Sequence, residues 1–238
     1  IDFRTCIDWK EKQMLLKAAF PVEINSNRAS YEIQYGNVER DTHWNTSWDA
    51  AKFEVCAQKW ADLSESGYGV SLLNDCKYGY DIKDLVIRLT LLKCGTDPNP
   101  NADREHHEFT YSLYPHCGGW REAGVQTAAY NLNVPAYGAV EEAHQGNLPP
   151  HMSMVSVDSG NVMVEVVKKA EDGDGLVIRL YEYMNSRGSV RLTLCRPIDE
   201  AWECDLLENA QRKIDVDGNS FTFAIKPYEI KTFMVRPK

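Results

Sequence analysis

The sequence predicts an all-β chain: a large antiparallel β-sandwich followed by a smaller one. Apolar residues recur at every second position through much of the first half, the period of a half-buried strand. Six short strand-like runs crowd into residues 151–238 with turn signals between them, as in an antiparallel sandwich. Only Trp120 to Ala129 is a good helix candidate, and Gly124 weakens it. The polar EEAHQGNLPPH, Glu141 to His151, reads as a linker, which sets the domains at 1–145 and 151–238.

The elements follow in order. Ile1 to Trp9 alternates with Ile1, Phe3, Ile7 and Trp9 on one side. Met14 to Val22 reads as a second strand, and a short connection around Lys10 to Lys12 would make the two a hairpin. Tyr31, Ile33 and Tyr35 alternate until Gly36 stops the strand. Helix formers between Ala50 and Leu63 make helix a rival there. Strand is preferred, because the apolar spacing settles on no helical period. Tyr68 to Asn74 is a near-continuous apolar run, expected as a central strand covered on both faces. Val86 to Leu92 and His107 to Tyr114 alternate, with the loop signal PNPNAD between them. Tyr130 to Val134 is expected to resume an extended pattern. The six runs of the second domain are Val162 to Lys168, Leu176 to Asn185, Ser189 to Leu194, Ala201 to Leu206, Ser220 to Ile225 and Glu229 to Val235.

Bulk properties exclude several function classes. The 238 residues carry a net charge of −9, which speaks against a nucleic-acid partner. No apolar run approaches the roughly 20 residues of a membrane span, and the start does not read as a signal peptide. The chain opens inside a strand-like pattern, so it is expected to be a segment of something longer. Its seven cysteines are scattered singly with no CxxC pair, arguing against a zinc ribbon or a disulfide framework. Most are expected inside apolar strand patterns as small hydrophobes, and a reducing cytoplasm fits them.

Polar and aromatic residues concentrate from Tyr31 to Asp81. In THWNTSWD (Thr42 to Asp49) two indoles four apart, with a His, an Asn and an Asp among them, suit stacking on a sugar ring and bonding its hydroxyls. Both Trp residues serving as core with satisfied N–H groups is the plainer alternative. His106 and His107 are neighbours on a strand, so they point to opposite faces and cannot chelate one ion together. The EDGDG and DVDG turns lack the ligand rhythm of a calcium loop.

Several long motifs resemble the C-terminal β region of glycoside hydrolase family 38, the class II α-mannosidases, and its cytosolic or bacterial type most. They are DWKEKQMLLKAAFPV (Asp8 to Val22), YEIQYGNVERDTHWNTSWDAAKFEV (Tyr31 to Val55) and KWADLSESGYGVSLLNDCKYGYD (Lys59 to Asp81). HEFTYSLYPH (His107 to His116), LYEYMNSRGSVRL (Leu180 to Leu192) and IKPYEIKTF (Ile225 to Phe233) extend the likeness over nearly the whole chain. Asp41 stands where the family usually has a proline.

The resemblance implies a galactose-mutarotase-like supersandwich, then a small sandwich. It implies a retaining, zinc-dependent parent enzyme that removes terminal α-linked mannose from oligosaccharides. The zinc ligands and nucleophile would lie in an N-terminal catalytic domain, so no catalytic or metal residue is expected here, and the chain alone is expected to be inactive. Its partners would be the α-mannoside substrate, that catalytic domain and, in a homo-oligomer, further copies. Two loops would line the cleft. One contributes Asp75, Lys77, Tyr78 and Tyr80, the other His43, Trp44, Asn45 and Trp48. Ordinary turn chemistry at Asn74–Asp75 and Gly79, and packing of the Trp loop on the catalytic domain, are the structural alternatives. A stand-alone carbohydrate-binding module and a structural or oligomerisation domain are the rival functions.

Overall fold

A computed structural model describes residues 1–238, which divide into two compact units, Ile1–Ala139 and Val140–Lys238. The first unit is built from ten strands: β1 Asp2–Asp8, β2 Leu16–Pro21, β3 Arg28–Ile33, β4 Gly36–Asp41, β5 Val55–Cys56, β6 Trp60–Ser64, β7 Tyr68–Asn74, β8 Gly79–Lys83, β9 Val86–Leu92 and β10 His106–Cys117. Two helices join them, α1 Ser47–Ala50 and α2 Val125–Asn133. A six-stranded antiparallel sheet runs β1-β10-β7-β6-β3-β4, and a four-stranded one runs β2-β9-β8-β5. Side chains from both fill one core, with Tyr31, Leu63, Leu72, Tyr80, Ile87 and Leu89 fully buried. The chain is therefore all-β, as expected.

The near-continuous apolar run becomes β7, flanked on both sides by neighbours and buried from Gly69 to Asn74. Its outer face is covered as well. There α2 crosses β6 and β7, the Trp60 indole N–H donates to Gln126 Oε1 at 2.7 Å, and Trp120 packs on Trp60 with ring centroids 4.9 Å apart. That cover lets the outer face hold polar groups away from water. Asp62, Ser71 and His116 are all buried there. In the ladder Gly69 stands between Ser64 and His116. A Cβ on Gly69 would lie 2.3 Å from His116 Cε1 and 2.3 Å from Ser64 Oγ. The missing side chain is what lets the imidazole lie over β7 and reach Asp62. Gly69→Ala is therefore expected to destabilise the chain by about 1–3 kcal/mol, read as a lower denaturant midpoint with an unchanged slope.

Four expectations fail. Strands β1 and β2 form no hairpin: β1 pairs with β10 in one sheet and β2 with β9 in the other. The apolar face of each strand is satisfied by a different sheet, so the link between them crosses the sandwich. The helix begins at Val125, not Trp120, because Gly124 takes a left-handed conformation (φ 65°) that ends the preceding turn. It then runs through Asn133, over residues expected to be extended. Five of the seven cysteines (Cys6, Cys56, Cys76, Cys117 and Cys195) are exposed rather than buried in apolar patterns.

The second unit holds eight strands: β11 Val155–Val157, β12 Val162–Lys169, β13 Leu176–Glu182, β14 Gly188–Leu194, β15 Ile198–Cys204, β16 Ala210–Ile214, β17 Ser220–Ile225 and β18 Ile230–Pro237. They form antiparallel sheets ordered β11-β14-β17 and β12-β13-β18-β15-β16, around Ile178, Leu180, Leu192, Phe221 and Phe233. Two of these strands have no counterpart among the six expected. Both lie at sheet edges, and β16 exposes Ala210 to Lys213, so no apolar alternation marks it.

Candidate functional site

The loop from Asn74 to Tyr80 joins β7 to β8, and its shape is set by side chains bonding backbone. Asn74 Nδ2 donates to Gln58 O and to Tyr80 Oη, each at 2.7 Å, while Asn74 Oδ1 accepts from Lys77 N at 2.6 Å. Asp75 is tied to β10 twice: its N–H donates to Thr110 O at 3.1 Å, and its Oδ2 accepts from Thr110 N at 2.8 Å. Its other oxygen, Oδ1, is buried and has no hydrogen-bond partner. Cys76 is exposed as a residue, but partial shielding of its sulfur, with the hydrogen bond and charge of Asp75, pushes the thiol up to about 11, so it stays protonated at neutral pH.

Of the residues expected around this loop, Tyr78 is exposed and half-buried Lys77 holds its ammonium 4.3 Å from the centre of the Phe109 ring. Tyr80 does not fit an open wall. It is fully buried, its hydroxyl donates to Leu72 O at 3.0 Å, and its pKa is raised by burial. A Tyr two residues beyond Tyr78 enters β8 with its ring in the core, because alternation along the strand sends it inward.

The Trp loop is organised by Thr46, which caps α1. Thr46 Oγ1 accepts from Asp49 N at 3.1 Å and donates to Asp49 Oδ2 at 2.6 Å. That hydrogen bond holds the Asp49 carboxyl below its ordinary range against its own burial, with help from the charge of Lys52. Thr46→Ala is expected to lower stability by about 1 kcal/mol, measured by urea unfolding. Half-buried His43 accepts at Nδ1 from Asn45 N at 3.3 Å. Lys83 Nζ bonds the carbonyls of Asp41 (2.9 Å) and His43 (2.8 Å) and lies 4.9 Å from the centre of the Trp44 ring. The Trp44 indole N–H points to Asp84 Oδ2 at 3.3 Å. Trp48, by contrast, is 80 % exposed and Phe53 77 % exposed.

The two loops are not brought together. Asn74 to Tyr78 leads into β8 at Gly79, whereas the Trp loop is held by Lys83 and Asp84 at the other end of that strand. Four residue steps at about 3.3 Å separate the ends by roughly 13 Å.

Two clusters of metal-type donors arise that sequence spacing did not reveal. Asp41, His43 and Asp49 place ligand atoms within 4.8 Å of one another, as do Cys6, His106 and Glu108. Each holds one imidazole, beside two carboxylates in the first and beside a thiol and a carboxylate in the second. The first also has its cations in place: Arg28 Nε lies 3.4 Å from Asp41, Lys52 Nζ 3.7 Å from Asp49, and Lys83 lies against two of its carbonyls. It is a charge-balanced corner.

Comparison with known proteins covers almost the whole chain. Residues 1–101 match the glycosyl hydrolases family 38 C-terminal domain, and residues 161–233 match the family 38 C-terminal beta sandwich domain. Alpha-mannosidase 2C1 of Homo sapiens is 40% identical over 99% of this chain and 23% of its own length. Alpha-mannosidase G of Dictyostelium discoideum is 40% identical over 98% of the chain and 22% of its length. Alpha-mannosidase of Saccharomyces cerevisiae is 32% identical, over 98% and 23%. The chain thus spans about a quarter of the length of these curated relatives. The crystal structure of an alpha-mannosidase from Enterococcus faecalis V583 superposes with a TM-score of 0.82 at 22% identity, covering 98% of this chain and 27% of that one. That likeness speaks for the fold. No helix is long and apolar enough to cross a membrane.

Proposed function

Because the chain belongs to glycosyl hydrolase family 38, whose C-terminal domains its two units match, we propose that it serves as the C-terminal β region of an α-mannosidase. The enzyme removes terminal α-linked mannose from oligosaccharides by a two-step retaining displacement. Its nucleophile and zinc ligands belong to a catalytic region on which this chain packs. In this reading no residue of this chain acts as the nucleophile or as a zinc ligand. The enzyme acts in the cytoplasm as a homo-oligomer.

One observation supports a substrate-facing role for the loop after β7. Asp75 offers a buried carboxylate oxygen with no donor, beside exposed Tyr78. An unpaired buried acceptor is destabilising unless something donates to it. The oxygen is closed off from solvent in this structure, so a sugar hydroxyl reaches it only when the loop opens; such a group suits the place, because it is neutral and can turn its hydrogen toward the oxygen. In this reading the Trp loop has a different job. Trp44 already has its indole N–H and one ring face engaged, while Trp48 and Phe53 present bare apolar surface suited to packing on the catalytic region.

The reading predicts that the chain alone gives no binding heat with millimolar mannose in calorimetry, because half a cleft supplies too few contacts. Saturable one-to-one binding that disappears in Trp48→Ala would support the stand-alone carbohydrate-binding module in its place.

A further inference from the structure

Strands β1 and β10 lie side by side with Cys6 opposite Glu108 and Asp8 opposite His106. All four residues are exposed and face the same way, because their positions differ by two along each strand. The result is a two-by-two block of a thiol, an imidazole and two carboxylates on a polar outer face, while Phe3 and Ile7 turn inward. Cys6 Sγ lies 3.6 Å from His106 Nε2, and Glu108 Oε1 lies 3.1 Å from the same nitrogen.

That convergence decides what the group can do. A nucleophilic cysteine needs one imidazole nitrogen for the thiol and the other for an orienting carboxylate. Here sulfur and carboxylate share Nε2, so the trio cannot work as nucleophile, base and orienter. Three donors gathered at one point suit a cation. We propose that Cys6, His106 and Glu108 form a zinc-binding site, with the fourth position taken by Asp8 or by water. Thiolate, imidazole and carboxylate are the donors zinc accepts, at about 2.3, 2.0–2.1 and 2.0–2.2 Å. Tetrahedral bonds of those lengths set sulfur and nitrogen about 3.6 Å apart, and nitrogen and oxygen about 3.3 Å. The observed separations are 3.6 and 3.1 Å and all three donor atoms lie within 4.8 Å of one another, so rotamer changes of up to about an ångström bring them to those lengths. The thiol loses its proton to water as the Zn–S bond forms, and no electrons change hands. Asp8 is paired with Lys10 at 2.6 Å, a surface ion pair that a metal can outcompete. A shallow depression of about 210 Å³ beside Cys6 and Glu108 leaves solvent access to the block. This site stands or falls independently of the mannosidase reading.

Cobalt(II) is the probe, titrated into the reduced 238-residue chain as a coloured stand-in for zinc. The expected result is one equivalent bound, with a thiolate-to-cobalt charge-transfer band and tetrahedral visible bands that one equivalent of zinc abolishes. Cys6→Ser should remove the charge-transfer band, and His106→Ala should weaken binding at least about tenfold. Cys56→Ser and Cys117→Ser should leave the spectrum unchanged, and all four sites are exposed, so the variants keep the fold. A wild-type chain without the charge-transfer band, or the same band in Cys6→Ser, overturns the site.

Discussion

Asp62→Ala is expected to lower the unfolding free energy by about 3–5 kcal/mol, the range for removing one partner of a buried ion pair. Asp62 and His116 are both buried on the outer face of the six-stranded sheet, under the cover that α2 and Trp120 give to β6 and β7. His116 Nε2 meets Asp62 Oδ1 at 2.9 Å, and its Nδ1 meets Gly118 O at 3.2 Å. Acceptors on both ring nitrogens demand a doubly protonated, charged imidazole. Asp62 accepts from Ser71 Oγ at 2.7 Å and from Ser64 Oγ at 2.5 Å as well. Alanine would take the acceptor from buried Ser71, from half-buried Ser64 and from an imidazolium at once. The loss should appear as a large fall in denaturant midpoint, well beyond that of Gly69→Ala.

The same pair gives the stability a pH dependence of fixed sign. Burial disfavours the charged imidazole, but the hydrogen bond and charge of Asp62, with the Gly118 and Cys117 backbone, outweigh it and raise the His116 pKa. A raised folded-state pKa means a contribution fully present below the unfolded value, about 6.5, and lost as pH rises through the folded one. The difference in stability between wild type and Asp62→Ala should therefore be widest below about pH 6.5 and narrow as pH rises through the raised folded-state value of His116. A difference that widens with pH contradicts the assignment.

How much of this was legible in the sequence depended on how local the signal was. Tyr68 to Asn74 announced a doubly covered strand because unbroken apolar character is written into consecutive residues. The pairing of β1 with β10 was not legible, since partners a hundred positions apart leave no mark on either strand. Tyr80 misled for a related reason: a Tyr beside a turn looks available, and only the phase of β8 sends it into the core. The opposite ends at which the two polar loops sit also follow from strand direction rather than composition. The Cys6–His106–Glu108 group is invisible to spacing rules because a ladder, not a helix or a short loop, assembles it. The family motifs, by contrast, were readable from the residues, and comparison bears them out over residues 1–101 and 161–233.

Asp75 carries the central claim, that this β region meets substrate through the loop after β7. Its Oδ2 has a structural task at Thr110 N, so truncation would disturb the loop whatever the function. Asp75→Asn separates the two roles. The amide oxygen can keep the Thr110 bond, while the amide nitrogen puts a donor where Oδ1 now offers an acceptor. Losing a hydrogen bond to a charged group costs about 1.5–3 kcal/mol, roughly a tenfold to hundredfold fall in kcat/KM. The decisive measurement is kcat/KM on a nitrophenyl α-mannoside for the longer enzyme carrying this chain, as wild type and Asp75→Asn, with zinc content and melting temperature recorded for both. A fall of that size with zinc and stability unchanged is the predicted result, and hydrolysis at the wild-type rate would contradict it.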